Sequence, residues 1–260
     1  MSDDLEILVI NLDRSPERMR EMEARLRRLG LRYTRVPAVD GRQASFTKRE
    51  VDAWKYSLAH GKLITPSEVA CYISHYSAIR AFAENPRKKF ALILEDDMEF
   101  DGDFADVVAA LLKNHSWDMV KLNGNHAGGN VSVARITSGR RLVANAFHQS
   151  KAGAYLINKK AARSYARKML PMFVPLDHEL VKYWKYGIRG YSVHPFPSRE
   201  TGAPSTIDYA QVRRNRKPWY RKGPTLAYKS YIALRRALHL LFGGDLLRAF
   251  KNKFGSPKSK

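Results

Sequence analysis

Cysteine is almost absent from this 260-residue sequence, in which Cys71 is the single example. A lone cysteine excludes an intrachain disulfide and fits a reducing compartment. The sequence also lacks any apolar run of about 18 residues, so it predicts no membrane-spanning helix. Its acidic first six residues are unlike a signal peptide. It contains neither a G-x-G-x-x-G element nor a P-loop, which leaves a dinucleotide-binding enzyme or an NTPase unsupported.

Acidic residues are scarce, with 25 Asp and Glu against 46 Lys and Arg and a net charge of +21. The excess is concentrated in residues 211–260, where fourteen basic residues face the single acid Asp245, a net of +13. Residues 1–210 therefore carry only +8, and they show no linker and no internal repeat. We predict one domain over 1–210 and a basic tail over 211–260, and we expect affinity for a polyanion to belong to the tail.

Alternating strands and helices predict an α/β domain. A strand at 6–10, a helix that begins at Ser15-Pro16 with Ser15 as N-cap, and a strand at 33–36 make a βαβ unit and hence a parallel sheet. Residues 131–137 and 142–147 are predicted to form an antiparallel pair about the turn at 138–140. Further strands are predicted at 90–94, 117–122, 153–157 and 190–194, and further helices within 42–64, from Thr65, at 103–113, at 159–169 and from 175.

Three consecutive acids, Glu95, Asp96 and Asp97, follow the apolar run at 90–94, and Glu99 follows two residues later. Carboxylates this close repel one another unless a positive group lies among them. Ligands of open α/β sheets bind beyond the carboxyl ends of the strands, which is where these acids lie. The pattern fits a hard divalent cation that is shared with substrate phosphates. The alternative is a solvated acidic turn.

Residues 225–242 are predicted to form an amphipathic helix with Ala227, Tyr231, Leu234, Leu238 and Leu241 on one face. Lys229, Arg235, Arg236 and His239 would form the opposite face. Basic residues beside an aromatic and aliphatic face favour binding to an anionic membrane surface. Two alternatives remain: nucleic-acid binding, although no nucleic-acid-binding motif is present, and packing of the apolar face onto the domain.

Several short blocks occur in the order seen in glycosyltransferase family 25, which the sequence resembles over residues 5–207. These blocks are Ile-Asn-Leu-Asp-Arg-Ser-Pro-Glu-Arg at 10–18, Ala-Val-Asp-Gly at 38–41, Glu-Val-Ala-Cys-Tyr-Ile-Ser-His at 68–75, Ala-Leu-Ile-Leu-Glu-Asp-Asp at 91–97, Gly-Ala-Tyr-Leu-Ile at 153–157 and Pro-Leu-Asp at 175–177. The family includes bacterial lipo-oligosaccharide enzymes and animal collagen galactosyltransferases, and the small size and basic tail resemble the bacterial branch.

The resemblance implies a GT-A-type domain with a mixed central sheet flanked by helices, followed by the basic helical tail. It also implies inverting transfer of a hexose, usually galactose, from a UDP-sugar to a lipopolysaccharide or lipo-oligosaccharide core acceptor. Such an enzyme is expected in the cytoplasm, peripherally on the inner face of the bacterial inner membrane, without a nucleic-acid partner. The alternative is a non-catalytic protein of the same fold that binds a nucleotide-sugar or a glycan.

The resemblance places Glu95-Asp96-Asp97 where GT-A enzymes hold Mn²⁺, or Mg²⁺, on the diphosphate. Asp97 is the expected ligand, joined by Glu95 or Asp96. His194, at the end of a late strand, is a candidate second ligand, with a structural histidine as the alternative. A metal at this point would neutralise the charge that develops on the UDP leaving group.

Inversion also requires a base that takes the proton of the acceptor hydroxyl. Asp177 is the candidate and Glu179 the alternative, while a helix N-cap is the structural role open to Asp177. The remaining candidates for the UDP-sugar site are Asn11, Asp13, Arg18, Asp40, Ser74, His75 and Asp96. Their structural alternatives include an exposed helix arginine for Arg18, an Asp-Gly turn for Asp40 and a core histidine for His75.

Overall fold

An eight-stranded mixed sheet forms the centre of the protein, in a computed structural model that describes residues 3–114, 116–125, 129–202 and 223–243. The strands of the described residues are β1 (Leu5–Asn11), β2 (Thr34–Pro37), β3 (Phe90–Glu95), β4 (Met98–Phe100), β5 (Met119–Lys121), β6 (Asn130–Arg135), β7 (Arg141–Asn145), β8 (Ala154–Asn158), β9 (Gly190–His194) and β10 (Ser198–Glu200). The central sheet has the order β2-β1-β3-β8-β5-β9-β7-β6, and β4 pairs separately with β10.

The sheet combines parallel and antiparallel pairs, as predicted. β1 pairs in parallel with β2 and β3, in register Leu8↔Thr34 and Ile10↔Glu95. β8 is antiparallel to β3 and β5, and β6 and β7 form the predicted antiparallel hairpin. The βαβ unit, the hairpin and the mixed central sheet are therefore confirmed.

Helices cover both faces of the sheet. They are α1 (Pro16–Arg28), α2 (Ala53–His60), α3 (Pro66–Glu84), α4 (Phe104–Lys113), α5 (Lys159–Lys168), α6 (Leu176–Leu180), α7 (Tyr183–Tyr186) and α8 (Gly223–Phe242). Side chains of a strand point alternately to the two faces, and β3 is buried on both. Leu92 and Leu94 join the core with α1 and α4, whereas Ala91 and Ile93 join the core with α3 and α5. Because β3 is packed between these two layers, the acidic residues at and after its end have a fixed position.

Two predicted helix starts have different outcomes. The capping box at the start of α3 is confirmed, because the Thr65 side chain accepts from the backbone N–H of Glu68 and the Glu68 carboxylate accepts from the backbone N–H of Thr65. α1 begins at Pro16 with Ser15 at its N-cap position, as predicted, but the Ser15 side chain makes no capping hydrogen bond. The fixed φ of Pro16 suffices to start that helix.

α8 is confirmed as a helix, but it packs through a face other than the predicted one. Thr225 is buried, and its hydroxyl donates to the Leu58 carbonyl at 2.8 Å. Tyr228 meets Phe173 edge-on, and Arg236 lies over the ring of Trp184. The predicted apolar face remains exposed, so the alternative in which this face packs on the domain is wrong. Arg236 lies on the opposite face, as predicted, and that face contacts the domain.

Across the described residues, no helix has both the length and the apolar character needed to cross a membrane. The predicted domain boundary at 210/211 lies outside the described residues, as does most of the tail.

Candidate active site

A cavity of about 550 Å³ lies beyond the carboxyl ends of β1 and β3. Because β1 and β3 are parallel, their final residues Asn11 and Glu95 lie at the same edge of the sheet. The cavity brings together nine of the predicted site residues: Asn11, Arg18, Asp40, Ser74, His75, Glu95, Asp96, Asp97 and Asp177. Residues separated by up to 166 positions in the chain thus share one site.

Arg18 is the cation that lies among the three acids. Its guanidinium is 2.6 Å from Asp96 Oδ1 and 2.6 Å from Asp97 Oδ2. The side-chain amide of Asn11 donates to Asp96 Oδ2 at 2.6 Å, so both oxygens of Asp96 are occupied. Burial, followed by the charge of Glu95, raises the pKa of Asp97 to about 6. The cluster is therefore only partly neutralised by Arg18.

Asp97 has the oxygen best suited to a metal ion. Its Oδ1 is buried and has no hydrogen-bond partner within the described parts of the chain, which is an uncommon state for a charged group. Both oxygens of Asp96 are occupied, so Glu95 is the second carboxylate of the trio that remains for an ion, and its Oε1 is 3.1 Å from His75 Nε2. An orphaned carboxylate oxygen beside a second carboxylate matches the oxygen ligands of Mn²⁺ and Mg²⁺. The residues present therefore fit a hard divalent cation, with Asp97 and Glu95 as its ligands.

His75 and Ser74 hold other parts of the cavity in place from within α3. His75 Nδ1 lies 3.0 Å from the Tyr155 hydroxyl, and its Nε2 fixes the orientation of Glu95. Although burial raises the pKa of Glu95 most strongly, the hydrogen bond and charge of His75 leave it lowered overall. The hydroxyl of Ser74 accepts from the backbone N–H of Val39 at 2.8 Å and so attaches the segment 38–41 to α3.

Asp40 is the polar group of that attached segment. Its carboxylate accepts from the backbone N–H of Arg42 at 3.0 Å and from Arg14 Nε at 2.6 Å, and these two groups lower its pKa. A Cβ at Gly41 would lie 2.7 Å from the carbonyl oxygen of Pro66, so glycine is needed for this close approach. Asp40 is therefore held charged at the wall of the cavity.

Asp177 lies in the first turn of α6, beside a group of histidines. The N-cap of that helix is Pro175, so the interpretation of Asp177 as an N-cap is wrong. Asp177 Oδ2 is 3.7 Å from His148 Nε2. Burial raises the pKa of Asp177, but its neighbours, His148 foremost and then His178 and Lys121, hold that pKa well below the usual range. The carboxylate is therefore ionised at neutral pH.

Lys121 is a buried residue that holds a loop of the cavity in place, and the sequence analysis did not identify it as part of the site. It is 1% exposed, and its ammonium donates to the carbonyl oxygens of Gln149, Ser150 and Lys151. Burial lowers its pKa to about 7, opposed by the charge of Asp177. Ser150 and Lys151 line the cavity, so Lys121 positions that loop. The sequence indicated only that Lys121 belongs to a predicted strand.

Three predicted site residues do not line the cavity. Glu179 is buried and bonded to Lys182 at 2.6 Å, to Lys185 and to the Tyr186 hydroxyl, so its position corrects its assignment as an alternative base. Asp13 pairs with Arg35 on the surface. His194 lies opposite Arg141 at the β7–β9 pairing, which does not bring it to the acidic cluster. The sequence placed Glu179 two residues after Asp177 on a short helix and His194 at the end of a strand, but it did not predict which way either side chain points.

The sequence matches the family model described as "Glycosyltransferase family 25 (LPS biosynthesis protein)" over residues 4–180. It is 28% identical over 211 residues to procollagen galactosyltransferase 1-B of Xenopus laevis, covering 76% of this chain and 34% of that protein. It is 28% identical over 184 residues to a glycosyltransferase 25 family member of Drosophila melanogaster, covering 67% and 30%. An inactive glycosyltransferase 25 family member 3 of Homo sapiens is 24% identical over 242 residues, covering 82% and 40%. The chain spans about a third of the length of these curated relatives.

Two solved structures resemble the chain over most of its length. One is a glycosyltransferase involved in the glycosylation of the major capsid of PBCV-1, with a TM-score of 0.44 and 10% identity, covering 87% of this chain and 98% of that one. The other is a mutant Drosophila galactosyltransferase 7 in complex with manganese, UDP-Gal and xylobiose, with a TM-score of 0.40 and 14% identity, covering 85% and 79%.

Proposed function

Because the chain belongs to glycosyltransferase family 25, we propose that it is a GT-A-type transferase that moves a hexose from a UDP-sugar to a saccharide acceptor. Galactose is the proposed hexose and a lipopolysaccharide or lipo-oligosaccharide core the proposed acceptor. The observation that carries the proposal is the cavity in which the acidic trio Glu95–Asp97 and the ionised Asp177 lie together. Transfer with inversion needs these two elements, one for the leaving group and one for the acceptor.

The wall of the cavity has groups suited to a nucleoside diphosphate. Arg14, Arg18, Lys62 and Lys151 all line it, and cations of this kind favour phosphate oxygens. Asp40 is charged and fixed at the same wall, where it can accept hydrogen bonds from ribose hydroxyls or uracil N–H. We assign the donor to the side of the cavity formed by α1 and the segment 38–41.

Asp97 and Glu95 would hold Mn²⁺ or Mg²⁺, because Asp97 Oδ1 is buried without a partner among the described residues. When bound, such an ion stabilises negative charge on a phosphate leaving group. Arg18 already contacts Asp97 Oδ2, so it remains able to share that charge. Asp96, whose two oxygens are bonded to Asn11 and Arg18, holds Arg18 in place.

Asp177 is the proposed base. Its lowered pKa leaves it charged at neutral pH and therefore able to accept the proton of an acceptor hydroxyl. His148 and Lys121, which contribute to that lowering, keep the carboxylate ionised until the acceptor arrives. Glu179 stays outside this scheme because Lys182, Lys185 and Tyr186 occupy its oxygens.

The test is release of UDP from a panel of UDP-hexoses, with a saccharide acceptor and with either Mn²⁺ or EDTA. We expect turnover of one UDP-hexose that requires the metal and falls at least ~100-fold in Asp97→Asn and in Asp177→Asn. Asp106→Asn, an exposed acid on α4, is the matched control and should retain activity. Turnover that is unaffected by EDTA and by Asp97→Asn would contradict the metal assignment.

The second candidate is a non-catalytic protein that binds a nucleotide-sugar or a glycan through the same cavity. The similarity to family members whose names call them inactive favours keeping it. This candidate predicts binding of a UDP-hexose by calorimetry with no UDP release from any donor when acceptor and Mn²⁺ are present. Metal-dependent turnover would exclude it.

We also propose that the protein is cytoplasmic and binds the inner face of a bacterial inner membrane through α8. Its exposed side chains include Leu226, Tyr231, Leu234, Leu238, Leu241 and Phe242. Lys229 and Arg235 are exposed on the same helix. An apolar face with flanking cations is the pattern of a helix that lies in the interface of an anionic membrane. A membrane position would bring the cavity to a lipid-linked acceptor.

A further inference from the structure

The end of the cavity at Asp177 has a second cluster of metal-ligating side chains. His148, Asp177 and His178 each offer one ligand atom, and these atoms lie within 4.8 Å of one another. The His148 and His178 rings are 4.1 Å apart between centroids. His60 adds a third imidazole, with its ring 5.2 Å from that of His178. The function proposed above uses His148 only to keep Asp177 ionised, and it gives no role to His178 or His60.

One ring nitrogen of the cluster is left without a partner among the described residues. His148 Nε2 is buried and lacks a hydrogen-bond partner in the described parts of the chain. An unsatisfied imidazole nitrogen thus faces a carboxylate at 3.7 Å, a distance that a shared ion would explain.

A second group in the cavity, Cys71, His75 and Glu95, meets the same distance criterion but is the weaker candidate. Both nitrogens of His75 are already occupied, by Tyr155 and by Glu95. Burial raises the pKa of the Cys71 thiol well above its usual value, and a thiol must lose its proton to bind a metal. The histidine cluster has neither obstacle.

We propose that His148, Asp177 and His178 form a binding site for a borderline-soft divalent transition ion, Zn²⁺ in the first instance. Two imidazole nitrogens and one carboxylate oxygen are the donors that Zn²⁺ prefers, and they leave one position of a tetrahedral site open to water or substrate. Hard ions prefer the all-oxygen environment at Glu95 and Asp97. The cavity therefore has two cation sites of different chemistry. Ligand distances of about 2.0–2.1 Å require the three side chains to close on the ion by about 1 Å.

Occupation of this site has a consequence that depends on the proposed function. A Zn²⁺ ion bound to Asp177 takes the carboxylate that would accept the proton of the acceptor hydroxyl. Zn²⁺ should therefore inhibit transfer while binding of the UDP-sugar, on the other side of the cavity, persists. The site would make transfer sensitive to free zinc.

The primary test is direct binding of Zn²⁺ to the full-length protein by isothermal titration calorimetry, without donor or acceptor. We expect one site in the native protein and affinity reduced at least ~10-fold in His148→Gln and in His178→Gln. His194→Gln is the matched control, because His194 does not line the cavity, and it should bind Zn²⁺ as the native protein does. Equal affinity in all three variants would overturn the proposal, and so would loss of binding in Cys71→Ser with retention in the histidine variants.

A second measurement needs no variant. Co²⁺ added to the native protein should give the intense visible absorption of a tetrahedral site with nitrogen ligands, and Zn²⁺ should displace it. Failure to see the band or its displacement would overturn the site even if the histidine variants did not fold. Both readouts are independent of transferase activity, so a protein that binds Zn²⁺ but turns over no UDP-hexose would refute the proposed function alone.

Discussion

Asp97 illustrates the energetic cost of the candidate active site at the scale of one residue. Its pKa is raised from 3.8 to about 6, chiefly by burial and then by Glu95. A carboxyl group with a raised pKa binds its proton more tightly in the folded than in the unfolded protein. The free energy of unfolding therefore falls as the pH rises from about 4 to about 6, and the ionised Asp97 destabilises the fold at neutral pH.

Asp97→Asn should for this reason stabilise the metal-free protein at pH 7.5 by roughly 1–3 kcal/mol, while it abolishes turnover. The difference should vanish near pH 4, where the native carboxyl is protonated. Thermal unfolding in EDTA at the two pH values measures this difference in stability between Asp97→Asn and the native protein. Asp106→Asn is the control and should unfold like the native protein. A variant less stable than the native protein at pH 7.5 would mean that the pair with Arg18 outweighs the cost of burial.

Asp177 and Glu179 show how neighbouring acids acquire different roles. Asp177 faces the cavity and its histidines, whereas Glu179 is buried with Lys182 and Lys185. A buried ion pair is a structural unit, because removing one partner leaves the other charge uncompensated. The sequence contained both acids but not the partners that distinguish them.

At the scale of one element, α8 exposes the apolar face that its sequence pattern would allow it to bury. It is attached to the domain through Thr225, Tyr228 and Arg236, and its outer face exposes large apolar side chains such as Leu234, which is 58% exposed. An exposed apolar face of this size indicates an interaction site. The helix is therefore held with its apolar face outward.

The double variant Leu234→Glu with Leu238→Glu should reduce binding to vesicles that contain anionic lipid at least ~10-fold, because it removes apolar contact and adds charge. The fold should be unaffected, since both side chains are exposed. Ser132→Glu with Ser138→Glu, exposed in the β6–β7 hairpin, gives the same change of charge as a control. Co-sedimentation measures the binding. Equal loss in both double variants would show that net charge alone, not the apolar face of α8, drives attachment.

At the scale of the whole molecule, the positive charge is unevenly distributed along the chain. Of the net +21, residues 211–260 carry +13, whereas the cavity side has its own cluster of acids. We therefore expect affinity for a polyanionic surface to belong to the tail and not to the cavity. Deleting the whole tail is a blunt test, since α8 also covers α2 and its Thr225 bonds to Leu58.

Vesicle binding by the intact protein should require anionic lipid and should weaken steeply between about 0.1 M and 0.5 M salt, where screening shortens the range of the tail's charge. Flotation assays with anionic and neutral vesicles over this range measure the effect. DNA or RNA binding that exceeds vesicle affinity at the same salt would instead support the nucleic-acid alternative. Binding to neutral vesicles that is insensitive to salt would contradict a role for the charge.

Much of the architecture could be inferred from the sequence because it depends on local patterns. The apolar run of β3, the capping box at Thr65 and the hairpin of β6 and β7 are encoded by residues close together in the chain. The acids after β3 were placed correctly at the cavity, since ligands bind beyond the carboxyl ends of parallel strands.

The tertiary structure decided which side chains meet. His148 lies beside Asp177, which is 29 residues further along the chain. Lys121 donates to the loop at 149–151 from strand β5. No spacing in the sequence predicts either contact. The tertiary structure also decided that Glu179 and His194 stay away from the cavity and that α8 turns its apolar face outward. Periodicity specifies that a helix has two faces, but which one is buried depends on the shape and chemistry of the surface that it meets, here Leu58, Phe173 and Trp184.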